Sequence, residues 1–466
     1  MLSLSLGIAL LIGGGCTDQN VYTPPDWSLM DKILADIVEP SFPEYSVDIL
    51  RFGAKEGEDY DCSESIKRAI DDVSKKGGGT VIIPQGTFYT GPITMVSNIR
   101  LHMEEGAELR FSTDPADYLP PVLTRWEGTD CYNYHPLIYA YEAENFAITG
   151  KGILNGMADM DHWWPWKGRD EYGFKEWKTL AVDSTSRDRL MQYNHDEVPV
   201  EERIFAEESS LRPQFINFYR CKNILLEDFT VVQSPFWLIH PVLCENLTMR
   251  RVTTESNGPN NDGCDPDASR NILIEDCFFN TGDDCIAIKS GRNEDGRRWN
   301  IPSENIIVRN CTMHNGHGGV VIGSEISGGC RNVFAENCIM NSPELERAIR
   351  IKTNSIRGGV VENVFVRNIE VGEVDEAVLR INCHYDKKRE GSGDYLPLIR
   401  NVHLINVTSK KSDHALFLDG IEGKECIRDI FLIDCEFNGV KEESIVNEVS
   451  NLLTINTRVN NEDIGQ

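Results

Sequence analysis

Acidic and basic side chains gather in short motifs along one stretch of the chain. In chain order the motifs are Asn260-Asn261-Asp262, Gly282-Asp283-Asp284, Gly316-His317-Gly318, Gly323-Ser324 and Arg350-Ile351-Lys352. They supply three carboxylates, one imidazole and two permanent cations. Inverting hydrolysis of a glycosidic bond needs a carboxylic acid that protonates the leaving oxygen and a carboxylate that activates water. The cations could hold the carboxylate of an acidic sugar through charge-assisted hydrogen bonds.

The ordered set of motifs resembles family 28 of the glycoside hydrolases, the polygalacturonases. In that family Asn-x-Asp, Gly-Asp-Asp, Gly-His-Gly and Arg-x-Lys follow one another in this order. The segments 281–291 (TGDDCIAIKSG) and 317–325 (HGGVVIGSE) strengthen the resemblance. It covers the chain from about residue 47 to about residue 451. The resemblance implies an acidic plant polysaccharide, pectin, as the substrate.

The resemblance also implies roles for the acidic residues. Asp283 would be the general acid, while Asp262 and Asp284 would orient and deprotonate the attacking water. A catalytic acid must hold its proton near the working pH. We expect the two acidic neighbours of Asp283 to keep it protonated, and His317 to tune that proton.

Candidate substrate-binding residues surround these acids. Arg350 and Lys352 are two positions apart, so in a strand they point the same way, and they would grip the carboxylate of the sugar on the leaving side. Asn260 would orient Asp262 or the substrate. Trp237 and His240 lie in the strand of the preceding repeat and could line the cleft: we count both as substrate-binding candidates.

The charge of the chain excludes one class of partner. Its 74 acidic and 46 basic residues give a formal net charge of −28, whereas nucleic-acid binding demands a basic surface. An acidic substrate would also be repelled by the overall field. We therefore expect Lys289, Arg292, Arg350 and Lys352 to form a positive patch inside a negative shell.

A degenerate repeat runs through most of the chain. An Asn or Asp marks each repeat, at Asn223, Asn246, Asn271, Asn305, Asn332, Asn363, Asn401 and Asp429. Such a period, with alternating β-branched residues and no long helical pattern, predicts a parallel β-helix in which coils must stack to bury their apolar faces. The fold class is therefore all-β, a solenoid, and the resemblance adds a right-handed coil.

The register of the repeat brings two motifs together. Asp283 lies twelve residues after Asn271, and His317 lies twelve residues after Asn305. Equal offsets in consecutive coils place both side chains in one column, where stacked strands are about 4.8 Å apart. The two side chains should therefore be near neighbours.

The chain divides into a short leading segment and one long domain. Residues 1–25 are expected to be a signal and tether: an apolar run, too short to span a bilayer, ends at Cys16, which we consider as a lipidation site. This predicts export to the periplasm or outer cell surface, or secretion. Residues 26–466 form a single catalytic domain, with an N-terminal capping helix in a cap at about 45–90 and catalytic coils at about 220–360. We expect a monomer.

The cysteines follow the repeat. Six residues after each marker the residue is apolar, as in Phe229, Val252, Cys277, Cys311, Cys338, Ile369, Val407 and Cys435, and a second column holds Cys221, Cys244 and Cys330. We therefore expect mostly free, buried thiols that act as small hydrophobic residues. The chain has no CxxC pair and no histidine spacing typical of a metal site, so we expect no metal and no cofactor.

Two long segments, 153–220 and 383–398, and Asn261, where fungal members usually have Thr, depart from the family pattern. The first segment could close one end of the groove and favour release from chain ends. It contains Trp163, Trp164 and Trp166, which either stack on sugars or form a small core of their own.

Three other functions compete with this reading. A pectate-type lyase also uses a β-helix and a uronate, with Ca²⁺ that the acidic motifs could bind, and a surface adhesin could have the same fold. A hydrolase of rhamnogalacturonan or another branched pectin is the third. The Arg350 and Lys352 pair favours an unsubstituted galacturonate, and His317 agrees, since rhamnogalacturonan-cleaving relatives tend to lack it.

Overall fold

The computed structural model describes residues 22–174 and 183–465. In this part the chain winds into a right-handed parallel β-helix, which confirms the predicted solenoid. The expected signal in residues 1–15 and the lipidation site at Cys16 lie outside the described residues.

Short strands follow one another along the whole helix. The first half of the chain contains β1 (Ser46–Asp48), β2 (Gly57–Asp61), β3 (Gly79–Ile83), β4 (Gly86–Thr90), β5 (Ile93–Thr94), β6 (Ile99–Met103), β7 (Ala107–Phe111), β8 (Val122–Trp126), β9 (Thr129–Asn133), β10 (Ile138–Tyr141), β11 (Glu144–Thr149), β12 (Ile153–Asn155), β13 (Ile216–Tyr219), β14 (Lys222–Glu227), β15 (Thr230–Val232) and β16 (Ile239–Val242). The middle of the chain contains β17 (Glu245–Arg250), β18 (Thr253–Ser256), β19 (Arg270–Glu275), β20 (Phe278–Thr281), β21 (Ile286–Ile288), β22 (Ser303–Arg309), β23 (Thr312–Met313), β24 (Val320–Gly323), β25 (Cys330–Glu336), β26 (Ile339–Met340) and β27 (Arg347–Lys352). The last coils contain β28 (Val360–Glu373), β29 (Ala377–Asn382), β30 (Leu398–Lys411), β31 (His414–Asp419), β32 (Ile427–Ile433), β33 (Glu436–Phe437), β34 (Ile445–Asn447), β35 (Val449–Ile455), β36 (Arg458–Val459) and β37 (Glu462–Asp463).

Helices are few and short. The α-helices are α1 (Ser28–Asp36), α2 (Ser63–Lys75), α3 (Ser186–His195), α4 (Asn293–Trp299) and α5 (Lys387–Glu390). Single turns of 3-10 helix lie at Ile49–Phe52, Pro115–Tyr118, Trp164–Lys167, Asp170–Tyr172 and Val200–Glu202. Within residues 22–174 and 183–465, every helix is too short or too polar to cross a bilayer.

Each coil contributes to three faces. The first face stacks β1, β3, β6, β11, β14, β17, β19, β22, β25, β28, β30, β32 and β35, and the second runs from β2 and β4 to β33 and β36. The long strands β28 and β30 bend from the first face into the second. The third face holds β5, β10, β13 and β16, then β21, β24, β27, β29, β31 and β34, joined by parallel bridges through Cys264. Apolar side chains from all three faces fill the interior.

The marker residues of the repeat form a hydrogen-bonded column. All eight, from Asn223 to Asp429, adopt φ between 54° and 59°, a left-handed conformation that Asn tolerates better than most residues. Asn305 donates from Nδ2 to Oδ1 of Asn271 over 3.0 Å, and Asn332 donates likewise to Asn305 over 3.0 Å. The same type of bond extends the column to Asn145 at one end. The pattern therefore turns every coil at the same point.

The cysteines are buried as thiols. The thirteen that lie in the described part of the chain are all free and buried, among them Cys277, Cys311, Cys338 and Cys435 of the predicted column. Their sulfurs pack in the interior and donate weakly to backbone carbonyls, as Cys277 does to Glu275 O over 3.2 Å. The expectation of hydrophobic rather than disulfide cysteines is confirmed for these residues.

The predicted N-terminal capping helix is α2, at Ser63–Lys75. Its buried side chains Ile66, Ala69, Ile70 and Val73 face the first coil, and Gly78 and Gly79 follow the end of the helix. The backbone requires the second glycine, because a Cβ at Gly79 would lie 2.1 Å from a carbonyl oxygen. The helix covers the first strands, where open coil edges would otherwise be exposed.

The sequence analysis missed α1. Residues 22–42 run along the outside of the first face, against the order of the coils. Tyr22 packs on His403 and Phe431, Trp27 on Phe334 and Phe365, and Met30 and Ile33 on Leu273 and Ile307. Only the spacing of Trp27, Met30 and Ile33 could have indicated a helix there.

A lobe beside the third face is built from the hairpin β8–β9, the helices α3 and α4 and part of the 153–220 segment. It has its own small core around Trp126, Leu190 and Phe236. A buried Arg125 ties the hairpin to the coils, because its guanidinium bonds Asp130 over 2.7 Å and Asp267 over 2.8 Å. The lobe is therefore fastened beside the third face.

We expect substitutions of Asn305 to separate the two contributions of the column. Asn305→Gly removes two side-chain hydrogen bonds and should lower the free energy of unfolding by about 1–3 kcal/mol. Asn305→Ala should cost about 1–2 kcal/mol more, because Ala is strained at positive φ. Urea unfolding followed by circular dichroism measures both.

The exposed Asn300, which also has positive φ (48°) but lies outside the column, provides the control. Asn300→Ala should show the conformational cost alone. Equal stabilities of Asn305→Gly and the unmodified protein would mean that the column contributes nothing.

Candidate active site

The acidic motifs meet on the surface of the third face. Asp262 lies in the loop after β18, Asp283 and Asp284 follow β20, and His317 follows β23, so the same turn of consecutive coils presents all four. Carboxylate oxygens of the three aspartates lie within 4.8 Å of one another. Asp262, Asp283 and His317 line a cavity of about 270 Å³.

Two glycines permit this approach of the coils. A Cβ at Gly282 would lie 2.3 Å from the carbonyl oxygen of Gly258, and one at Gly316 would lie 2.4 Å from that of Asp283. Gly316 also has φ of 144°, which disfavours other residues. Both motif glycines are therefore needed by the backbone.

Asp283 and His317 form an ion pair, as the equal offsets predicted. The Nδ1 atom of His317 lies 2.9 Å from Oδ1 of Asp283. The charge of Asp283 raises the pKa of His317 to about 9, against the opposite effect of burial. Burial raises the pKa of Asp283, but the charge and hydrogen bond of His317 and the charge of Lys352 outweigh it, so this pKa lies below its usual value.

The expectation that acidic neighbours keep Asp283 protonated is therefore wrong for the free protein. The sequence analysis counted the two neighbouring carboxylates but not the cations that the fold brings beside them. In the free protein the proton resides on His317, and Asp283 is ionised.

Asp262 behaves in the opposite way. Burial, then the charges of Asp283 and Asp265, raise its pKa well above the usual value. Asp265 lies beneath it, fully buried, and neither of its oxygens has a hydrogen-bond partner. The pKa of Asp265 is also raised by burial. One cation, Lys289, approaches both, at 3.7 Å from Asp262 and 3.5 Å from Asp265.

Asp284 is held ionised by two cations. Nζ of Lys352 donates to its Oδ2 over 2.5 Å, and Nη1 of Arg350 donates to Oδ1 over 3.3 Å. Burial raises the pKa of Asp284, but the charges of Lys352 and Arg350 lower it by a larger amount, so the net shift is downward. The two cations do point the same way, as expected, and they line the cavity.

Lys289 and Arg292 also line the cavity, but their charges are already paired. Lys289 lies 3.4 Å from Glu325, and Arg292 bonds Glu127 and Glu390, each over 2.8 Å. All four cations of the predicted patch line the cavity, but each is paired with a carboxylate, because buried charges require partners. Both residues fix the acidic groups behind the cavity.

Asn260 and Asn261 perform different tasks. Asn260 lines the cavity, and its Oδ1 accepts from Lys167 over 2.6 Å and from Arg212 over 2.8 Å. Asn261 is buried and saturated: Oδ1 accepts from Ser256 and from the backbone of Gly258, while Nδ2 donates to two carbonyls. Asn261 therefore fastens the loop that carries Asp262.

Of the two residues predicted in the preceding coil, one reaches the cavity. Trp237 lines it, with Nζ of Lys289 4.4 Å from the ring centroid. The prediction that His240 lines the cleft is wrong. His240 is fully buried behind Trp237, 3.5 Å from Asp267. The hairpin β8–β9 covers this part of the third face, since Thr124 bonds Asn217, which in turn contacts His240.

The three tryptophans of the 153–220 segment pack on the hydrophobic core of the coils. Trp163 is buried and contacts the rings of Tyr118 and Trp166, while Trp164 donates to Ser234 O over 3.0 Å. The tryptophans therefore anchor the segment, as one alternative held, but they do so on the main core of the coils rather than on a small core of their own. The cavity is lined instead by residues that sequence reasoning missed, namely Lys167, Arg169 and Tyr172 from this segment and Tyr385, Asp386 and Arg389 from segment 383–398.

The missed residues had no motif to mark them. Their only signal was membership of the two segments that depart from the repeat. The three aspartates also form the one group in the described part of the chain with the spacing of a metal site. Cations already contact this group, which suits acid–base chemistry better than binding of another cation.

Comparisons with known proteins agree on one family. The model described as "Glycosyl hydrolases family 28" matches residues 201–455. The chain is 27% identical to a probable polygalacturonase of Vitis vinifera, covering 77% of this chain and 67% of that one. It is 25% identical to an exo-poly-alpha-D-galacturonosidase of Dickeya chrysanthemi, covering 86% and 68%. An exopolygalacturonase structure from Thermotoga maritima matches with a TM-score of 0.89 at 45% identity, covering 93% and 96%.

The titration of His317 tests the electrostatics of the site independently of activity. In protein labelled with ¹⁵N-histidine, the imidazole should titrate near pH 9. In Asp283→Asn its pKa should fall toward 6.5, the ordinary value. Burial lowers the pKa of His403 to about 4, and this residue serves as the internal control.

Because the folded pKa of His317 exceeds the unfolded value, the ion pair stabilises the fold below about pH 6.5. That contribution is lost as the pH rises through about 9. A His317 pKa unchanged by Asp283→Asn would contradict the pairing.

Proposed function

The chain belongs to family 28 of the glycosyl hydrolases, and we propose that it hydrolyses α-1,4-galacturonosyl linkages of pectin from chain ends. The observation that carries the proposal is a cavity in which three aspartates meet beside Arg350 and Lys352. Carboxylates provide the acid and base of glycoside hydrolysis, and the cations suit a uronate. The names of the Dickeya and Thermotoga relatives describe exo-acting enzymes on the same polymer.

Asp283 and His317 together deliver a proton to the leaving oxygen. The pair holds one proton across a 2.9 Å hydrogen bond in the free protein. A bound polyuronate adds negative charge beside it and raises the proton affinity of Asp283. Asp283 then acts as the general acid, with His317 as the source of its proton.

Activation of water belongs to Asp284 and Asp262. Asp284 is ionised because Lys352 and Arg350 hold it so, and it accepts the proton of water. Asp262 has a raised pKa, so it carries a proton with which it orients the water. The two aspartates thus divide the task that the resemblance assigns to them jointly.

We propose inversion of configuration at the cleaved bond. The close spacing of the carboxylates, within 4.8 Å, would by itself favour retention, since inverting enzymes usually keep their two carboxylates about 6.5–9.5 Å apart. Retention, however, needs a free carboxylate nucleophile. Both oxygens of Asp284 are engaged by cations, Asp262 carries a proton, and Asp283 is bonded to His317. Water is therefore the better nucleophile.

The two irregular segments support cleavage at chain ends. Lys167, Arg169 and Tyr172 come from one, and Tyr385 and Arg389 from the other, and all line the cavity around the aspartates. An open groove would accept the middle of a polymer, whereas walls on two sides accept an end. Export fits the extracellular polymer, and the apolar residues 1–15 support it; a chain found only in the cytoplasmic fraction would oppose it.

Digestion of polygalacturonate tests the activity. Monogalacturonate should be the first product, without added metal, and ¹H NMR should detect its β-anomer first if configuration inverts. Asp283→Asn should reduce kcat by roughly 10²- to 10⁴-fold, since the general acid is lost, while its circular dichroism spectrum stays unchanged.

Other products would identify another reaction. Unsaturated products that absorb in the ultraviolet would indicate a lyase. Absence of products from polygalacturonate, with release from rhamnogalacturonan, would move the substrate to a branched pectin. Neither outcome is compatible with the proposal.

Removal of one wall tests the origin of exo action. Replacing residues 168–174 by a short Gly-Ser linker deletes Arg169 and Tyr172 but keeps Lys167 and the three tryptophans. We expect the variant to release longer oligomers early and to lower the viscosity of the polymer faster per bond cleaved. As a control, Arg169→Ala with Tyr172→Ala keeps the backbone of the wall. Monomer as the sole early product of the linker variant would refute the role of this segment.

A further inference from the structure

A line of side chains continues from the site along the third face. The strands β27, β29 and β31 pair in parallel so that Arg350 lies opposite Arg380, and Arg380 lies opposite Phe417. Adjacent strands are about 4.8 Å apart. Arg380 is therefore the next cation after Arg350, one coil further from the aspartates.

Arg380 is held in place but incompletely satisfied. Its guanidinium pairs with Glu376, and its central carbon lies 4.4 Å from the ring centroid of Phe417. Its Nε atom is buried and has no hydrogen-bond acceptor. An unpaired buried donor costs about 1–3 kcal/mol, so an acceptor that bonded this Nε atom would stabilise the side chain.

The surrounding charges also favour an added anion beside Arg380. Glu376 is shared, because it also pairs with Arg347, and Arg350 is occupied by Asp284. Burial, then the charges of Arg347 and Arg350, lowers the pKa of Arg380 to about 10, and the opposite effect of Glu346 and Asp419 is smaller. Three guanidinium groups thus crowd together, and an added anion would relieve their repulsion.

The position is also accessible. About 17% of the Arg380 side chain is exposed, and Phe417 beyond it is partly exposed as well. If the ion pair served only to join neighbouring coils, its side chains would not need to be exposed to solvent. A ligand that lies along the third face from Arg350 therefore reaches Arg380 next.

We propose that Arg380 binds the carboxylate of the second sugar on the leaving side of the cleaved bond. The inference rests on the proposed function, in which Arg350 and Lys352 hold the first leaving sugar. A polyuronate carries one carboxylate per sugar, so a chain along the coils presents its next carboxylate to the next cation. Arg380 thereby makes the enzyme prefer substrates of three or more sugars with a free acid at this position.

Oligomers of defined length test this role. We expect Arg380→Gln to reduce kcat/KM for trigalacturonate by roughly 10- to 100-fold, the value of one charged hydrogen bond. The loss for digalacturonate, which ends before Arg380, should be at most about threefold. Trigalacturonate with a methyl ester on its reducing-end sugar should be a poor substrate for the unmodified enzyme and lose no more in Arg380→Gln.

Two further variants complete the experiment. Arg400 on β30 also pairs with a glutamate of the neighbouring coil, Glu362, over 2.6 Å, but on the first face. Arg400→Gln is the matched control and should leave both substrates unaffected. Arg380→Lys retains the charge, so it should keep most of the preference for the trimer, even if Arg380→Gln folds poorly.

Each result decides the matter. Equal losses on dimer and trimer, or no loss on either, would overturn the binding role and leave Arg380 as a link between coils. Absence of hydrolysis of any galacturonate oligomer by the unmodified protein would overturn the proposed function instead. Trimer binding measured by calorimetry would then still report on Arg380.

Discussion

Stacking of coils in a constant register is the constraint on which the structure depends. Each coil buries its apolar side chains only if the next coil turns at the same point, and the column of asparagines in left-handed conformation makes it do so. The side-chain amides bond from coil to coil, so a slip of one residue would break the bonds and turn the apolar residues outward. Active-site residues inherit this regularity.

The site depends on the register of the coils and on the neutralisation of its buried carboxylates by neighbouring cations or by protons. Burying three aspartates within 4.8 Å of one another is costly unless cations or protons neutralise them. The fold supplies both: Lys352 and Arg350 at Asp284, His317 at Asp283, and a proton on Asp262. The same arrangement that makes the cluster tolerable separates its members into ionised and protonated groups. That separation is what acid–base catalysis requires.

Departures from the repeat supply selectivity. The regular coils form an open face, and the irregular segments add the side walls of the cavity. Insertions cost little when they leave the coil and return to it. The loop at 163–166 is also stabilised because its tryptophans pack on the main core of the coils. The three aspartates therefore lie on the regular part of the chain, and the irregular part supplies the walls to which we attribute the proposed preference for chain ends.

The sequence by itself determined the β-helix, the capping helix α2, the buried cysteines and the meeting of Asp283 with His317, since each follows from periodic spacing that backbone geometry converts directly into position. Only the tertiary structure decided the protonation of Asp283 and Asp262, the burial of His240 and the pairing of Lys289 with buried carboxylates. It also decided that residues 22–42 pack along the outside of the first face. These depend on distances between groups from different coils and loops. Electrostatic energy and burial vary with these distances. Outside the regular repeat, the number of residues between two groups in the sequence does not determine the distance between them in space.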